Sequence, residues 1–150
     1  MINLKVRYIC ISLFFISSLI IQAKTYYDNI TDFEIVKVRD GDTFVINVKN
    51  IPDVFGEEIA VRIRGIDTPE LNDERDEIQK ISIQAKEELE RLLYSGDAYS
   101  GQMPKVVLYD LGRDKYFRLL ASVKVGDIDI AEYMIERGLA KKYDGGKKVW

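Results

Sequence analysis

The chain has 150 residues, 47% of them hydrophobic and 31% charged, with a formal charge of −3, one cysteine and no histidine. These figures exclude a disulfide-stapled domain, histidine-dependent triads and dyads, and the usual histidine or cysteine zinc site. Acid–base work falls to Asp and Glu, and charge neutralisation to Arg, Lys and hard cations held by oxygen.

Residues 1–23 read as a secretory signal: Lys5 and Arg7 form a basic start, an apolar run extends from Ile9 to Ile21, and Ala23 offers a small residue for cleavage. The run is shorter than the roughly 20 residues a spanning helix needs. Export to the medium, periplasm or cell envelope is therefore expected, with no stable membrane association; a retained anchor is the alternative. Cys10 opens the apolar run instead of following it, which argues against lipid attachment there. Removing residues 1–23 leaves 127 residues, enough for one core, and a charge of −5 once Lys5 and Arg7 are gone. Nonspecific binding to phosphates runs on Lys and Arg, so a nucleic-acid ligand would need a local basic surface or a bound cation. Arg113, Lys115, Arg118, Lys141, Lys142, Lys147 and Lys148 gather in the last third; from charge alone, two solvated faces are the simpler reading.

After a polar, loosely ordered lead-in over 24–32, residues 33–38 predict a strand, Arg39-Asp40-Gly41-Asp42 a tight turn and residues 43–48 the return strand. A loop over 51–57, holding Pro52 and Gly56, leads to a third strand over 58–66 that Pro69 ends. Ile78, Ile81, Ala85, Leu89 and Leu92 then recur every three or four residues, the stripe of an amphipathic helix with Asn72 or Asp73 as N-cap and Gly96 beyond its end. Two further strands follow over 105–111 and 117–125, joined through Gly112-Arg113-Asp114. Asp129-Ile130-Ala131-Glu132 opens a second helix in capping-box style, Ile128 is placed to staple onto Tyr133, and Gly138 closes the helix. Five strands, with one helix between the third and fourth and another after the fifth, predict a mainly β α+β domain: a Greek-key barrel of the OB type over 33–143, with 144–150 as a turn or tail.

Chemistry concentrates at the end of the third strand. On an ideal strand Arg62 and Asp67 face opposite sides; a bend or bulge at Gly65 switches the parity and brings Arg62, Asp67 and Glu70 to one mouth of the barrel. The Thr68-Pro69 step pulls the backbone out of its ladder and frees the Thr68 carbonyl for a cation, and Asp42 is the partner for Asp67. Each piece has a plain reading as well: a hairpin turn, a solubilising arginine, a strand exit with a helix cap, and Tyr116 and Tyr143 as packing aromatics.

In combination, Asp40-Gly41-Asp42-Thr43, Arg62-Ile63-Arg64-Gly65-Ile66-Asp67-Thr68-Pro69-Glu70, Asp114-Lys115-Tyr116-Phe117-Arg118-Leu119-Leu120-Ala121 and Gly138-Leu139-Ala140 with Tyr143 resemble the thermonuclease, or staphylococcal nuclease-like, family. The resemblance implies the same barrel and calcium-dependent hydrolysis of DNA and RNA, with magnesium the lesser candidate. Substrates would be single-stranded or denatured, products 3′-phosphates, and the protein a monomer. It further implies that Asp42, Asp67 and the Thr68 carbonyl bind calcium, with Asp40 behind them. Glu70 would activate water, Arg62 and Arg118 would hold the phosphate, and Lys115, Tyr116 and Tyr143 would contact the nucleotide.

Three departures from the family's best-known member stand out. Phe117 replaces a glycine before Arg118, the loop between Asp42 and Arg62 is longer, notably over 49–57, and the chain ends soon after Tyr143 without a further C-terminal helix. None removes a catalytic residue. Two alternatives stay open: a non-catalytic OB-fold module that binds nucleic acid or protein, and a cell-envelope protein in which calcium only holds the fold.

Overall fold

The computed structural model describes residues 29–94, 105–147 and 150. The signal reading, and the expectation for Gly96, fall outside them. Strand β1 (Phe33–Asp40) returns as β2 (Thr43–Val48) through the Asp40-Gly41-Asp42 turn. Strand β2 pairs antiparallel with β3 (Ile59–Ile63), and β3 runs parallel to β6 (Leu119–Val125), which pairs antiparallel with β5 (Val106–Arg113). The sheet order β1-β2-β3-β6-β5 is the order of an OB-type sheet. Just ahead of β1, Ile30 exchanges two 3.0 Å backbone hydrogen bonds with Leu108 of β5. That bridge carries the sheet back towards its first strand, so part of the expected lead-in is tied into the barrel. The mixed α+β, OB-type expectation holds.

Several local expectations need correction. The loop after β2 contains a short helix, α1 (Asp53–Gly56), started by Pro52, whose carbonyl accepts from Phe55 and Gly56. The predicted third strand divides at Gly65 (φ +83°) into β3 and β4 (Ile66–Asp67), and β4 pairs with β8 (Lys141–Lys142). The main helix, α2 (Asp76–Tyr94), starts later than Asn72 or Asp73. Asp73 instead spends its carboxylate on Arg75, accepting from its backbone N–H at 3.0 Å and from its guanidinium at 2.8 and 2.6 Å, and the first helical bond runs from Gln79 N–H to the Arg75 carbonyl.

The predicted stripe packs as expected at Ala85, Leu89 and Leu92, which are buried with Phe44, Ile46, Val61, Ile63, Leu108 and Val123 in one core. Each such fully buried aliphatic or aromatic side chain contributes about 1.5–3 kcal/mol. Two-residue β7 (Ile128–Asp129) pairs with β6 and feeds α3 (Ile130–Glu136). Asp129 caps that helix by accepting from Glu132 N–H at 3.1 Å, and Gly138 (φ +70°) ends it, with Leu139 N–H bonding back to Met134.

Outside the core, Glu88 ties α2 to α3. Its carboxylate accepts two bonds from Arg91 and one from the Tyr133 hydroxyl, with Arg137 at 3.9 Å. The Arg91 hydrogen bonds, helped by Tyr133 and the two guanidinium charges, outweigh burial and hold this carboxyl down at about 2. A depressed carboxyl stabilises the fold above its ordinary pKa, and that contribution drains away as pH falls towards 2. Glu88→Gln should therefore cost about 1–2 kcal/mol at pH 7 in urea denaturation, and the gap should narrow steadily between pH 5 and pH 3; a gap independent of pH contradicts it. Phe117 adopts φ +63°, the left-handed region a glycine favours. For an L side chain this costs about 1–2 kcal/mol, against about 0.5–1 kcal/mol of extra chain entropy for glycine. Phe117→Gly should raise stability by about 0.5–1 kcal/mol in the same assay, and a loss would show that the ring is packed in.

Candidate functional site

The site begins at the hairpin turn. Asp42 N–H bonds to Asp40 Oδ1 at 3.1 Å, closing a side-chain-supported turn. A Cβ on Gly41 would stand 2.6 Å from the Ala85 Cβ of α2 and 3.0 Å from Thr68 Cγ2. Only glycine lets the turn lie this close to both, and the result is a buried Asp42.

Asp42 Oδ2 accepts from Thr68 N–H at 2.9 Å and Thr68 Oγ1 at 3.0 Å and pairs with Arg62 Nη1 at 2.7 Å. Its Oδ1 accepts from Thr43 Oγ1 at 3.0 Å. The other arm of Arg62, Nη2, lies 3.2 Å from Asp67 Oδ1. The bend at Gly65 brings Arg62 and Asp67 together, as the residue pattern required. All three ionic side chains are buried, at 6, 9 and 2% exposure for Asp42, Arg62 and Asp67. Burial, and then repulsion from Asp42, push the neighbouring Asp40 carboxyl up to about 6.

Arg118 arrives from a different part of the chain. The loop between β5 and β6 folds around Asp114, whose Oδ1 accepts from Tyr116 N–H at 2.8 Å and Arg118 N–H at 2.9 Å, while Oδ2 receives Arg118 Nε at 2.6 Å. Burial alone would raise the Asp114 carboxyl, but the Arg118 side chain and these two N–H groups outweigh it and hold it below its ordinary value. The Tyr116 ring lies beneath two cations, Lys115 at 5.1 Å and Arg118 at 5.6 Å. The turn holds Phe117 at φ +63° and its bonds to Asp114 order the loop, so Arg118 is presented from a fixed position.

These groups meet in one cavity of about 710 Å³. Its wall includes Asp40, Asp42, Arg62, Asp67, Thr68, Glu70, Lys115, Tyr116, Arg118 and Tyr143, every site residue expected from the sequence. Glu70, Lys115 and Tyr116 are exposed and Asp40 is half-buried, whereas Asp42, Asp67 and Thr68 are buried. Tyr143 reaches the wall because β8 pairs with β4 and Tyr143 N–H bonds to the Gly65 carbonyl at 2.9 Å.

Three contributors were not foreseen. Asp114 orders the Arg118 loop, and its four-residue spacing from Arg118 was the available signal. Asp144, Gly145 and Gly146, expected as a bare turn or tail, form part of the wall, with the Tyr143 hydroxyl bonded to the Gly146 carbonyl at 2.9 Å. Trp150 donates its indole N–H to the Asp67 carbonyl at 2.9 Å, under Lys141 at 3.9 Å from the ring; no local pattern announces that contact.

Among the described residues no group of three or more His, Cys, Asp or Glu side chains is arranged to hold a metal. The cavity offers two buried carboxylates, Asp42 and Asp67, beside the Thr68 backbone. Such an all-oxygen set fits a hard cation that takes its remaining ligands from water. In the structure Arg62 supplies the positive charge between these carboxylates.

Residues 60–148 match the family model described as staphylococcal nuclease homologue. A probable endonuclease of Schizosaccharomyces pombe is 30% identical over 139 residues, 77% of this chain, and the chain spans 57% of that protein's length. Asp40 and Asp42 precede the family match, and the β1–β2 turn delivers them to it. The matched stretch is more than half of the chain and contains Arg62, Asp67, Glu70, Arg118 and Tyr143, and on that ground the protein belongs to the staphylococcal nuclease homologue family.

Proposed function

We propose that the protein is a nuclease that hydrolyses phosphodiester bonds of DNA and RNA with low sequence specificity, acting on single-stranded or denatured strands. The observation that supports this most is the convergence of Arg62, Glu70 and Arg118 with the buried carboxylates Asp42 and Asp67 on one open cavity. A non-catalytic barrel has no need of that set. The S. pombe relative's description as a probable endonuclease agrees with the reading.

In this mechanism a phosphodiester enters the cavity between Arg62 and Arg118. Glu70, at the exposed end of the β4 segment, takes a proton from a water molecule whose oxygen attacks phosphorus. The bond to the 5′-oxygen breaks, that oxygen leaves with a proton from solvent, and a 3′-phosphate remains. The two guanidinium groups neutralise charge as it accumulates on the phosphoryl oxygens. Asp42, Asp67 and the Thr68 carbonyl would hold a calcium ion, with magnesium the less suited cation, and such an ion would add to the neutralisation of the phosphate. Lys115, Tyr116 and Tyr143 line the approach and hold the nucleotide. Export follows from residues 1–23, and a monomer suffices, since one chain carries the whole set.

Glu70→Gln should lower the rate of cleavage of denatured DNA and of RNA by about 10²–10⁴-fold, with an unchanged melting temperature because Glu70 is exposed. Full activity in the folded variant would remove Glu70 as the base.

A further inference from the structure

Phe117 combines three properties that a packing role does not explain. It is 79% exposed, and its backbone is held at φ +63°, a conformation that penalises any side chain. Its loop is nonetheless ordered: Phe117 N–H donates to the Asp114 carbonyl at 3.1 Å, and the Phe117 carbonyl accepts from Arg113 Nη1 at 2.7 Å. The chain therefore presents a large apolar ring to water from a rigid turn, at a cost to stability.

Its neighbours indicate what the ring would meet. Adjacent Cα atoms are about 3.8 Å apart, so Phe117 is flanked directly by Tyr116 and Arg118, both on the cavity wall, while Phe117 itself is not part of that wall. Tyr116, 68% exposed, has Lys115 at 5.1 Å and Arg118 at 5.6 Å from its ring centre, so cations and an aromatic already lie side by side on this loop. Arg113, Lys115 and Arg118 make the loop a basic island on an acidic chain. Cations that attract phosphate, beside an uncovered aromatic face, are the two components of a single-strand binding track. A duplex keeps its base faces stacked and offers this ring nothing.

We propose that Phe117 is a substrate-positioning residue that stacks on an unstacked base of a single-stranded nucleic acid, next to the nucleotide whose phosphate occupies the cavity. The proposal rests on the nuclease reading and adds a subsite to it. The residue trades fold stability for substrate binding, so its removal should move the two in opposite directions.

The test uses the Glu70→Gln protein with calcium, so that strands are bound and not cut, and follows the fluorescence anisotropy of an end-labelled single-stranded oligodeoxynucleotide. Adding Phe117→Gly should weaken binding about tenfold while raising the melting temperature, and Phe117→Trp should keep or tighten it. On a strand of the same length made of abasic sugar-phosphate, Phe117→Gly should change nothing, because there is no base to stack. Binding within twofold of the parent on the normal strand, or an equal loss on the abasic strand, overturns the stacking role. Cleavage by the unmodified protein, assayed in parallel, separates the two readings: active protein with an indifferent Phe117 sinks the subsite alone, and protein that neither cuts nor binds sinks both.

Discussion

Arg62 is the cation on which the site depends. Its two arms reach Asp42 at 2.7 Å and Asp67 at 3.2 Å, and all three groups are almost wholly removed from water. Breaking such a buried pair by removing one partner leaves uncompensated charge and costs about 3–5 kcal/mol. The ion triad therefore fixes the β1–β2 turn, the end of β3 and the end of β4 relative to one another. Thr68 adds its N–H and hydroxyl to Asp42, which turns the strand exit towards Glu70. The same contacts that hold the backbone also hold the carboxylates in position.

A second, independent ion pair supplies the other guanidinium. Asp114 sits between the ladder of β5 and β6 and the exposed loop tip, and its carboxylate accepts from both the backbone and the side chain of Arg118. Bonds to backbone N–H groups give the loop its shape without help from a glycine, which is how Phe117 is tolerated at φ +63°. The cavity wall is itself acidic, with Asp40, Asp42, Asp67, Glu70, Asp114 and Asp144 against Arg62, Arg64, Lys115 and Arg118, so a phosphate entering it would need a bound cation beside the arginines.

Much of this was readable from residue order. The Asp-Gly turn, the bend that Gly65 needs if Arg62 and Asp67 are to meet, the α2 stripe at Ala85, Leu89 and Leu92 and the Asp129 cap are local rules, and each holds. What escaped were one local pair and several contacts set by tertiary partners. Asp73 and Arg75 satisfy one another and delay α2. A two-residue pairing of β4 with β8 cannot be seen in two-residue strands, yet it brings Tyr143 to the wall. The bond from Trp150 to the Asp67 carbonyl spans 83 residues of sequence. Phe117 read as a departure that could set the approach of Arg118 differently; in the structure it takes φ +63°, a conformation a glycine favours.

An oxygen-only site with buried carboxylates, served by two arginines and an exposed glutamate, stands or falls on cation-dependent phosphodiester cleavage. The most direct measurement is the rate of single-stranded DNA and RNA cleavage by the purified protein in calcium and in excess chelator. Cleavage in calcium that stops with chelator and returns when calcium is restored is the expected result. Equal cleavage in chelator, or none of either substrate in calcium, contradicts the assignment of Asp42, Asp67 and Glu70.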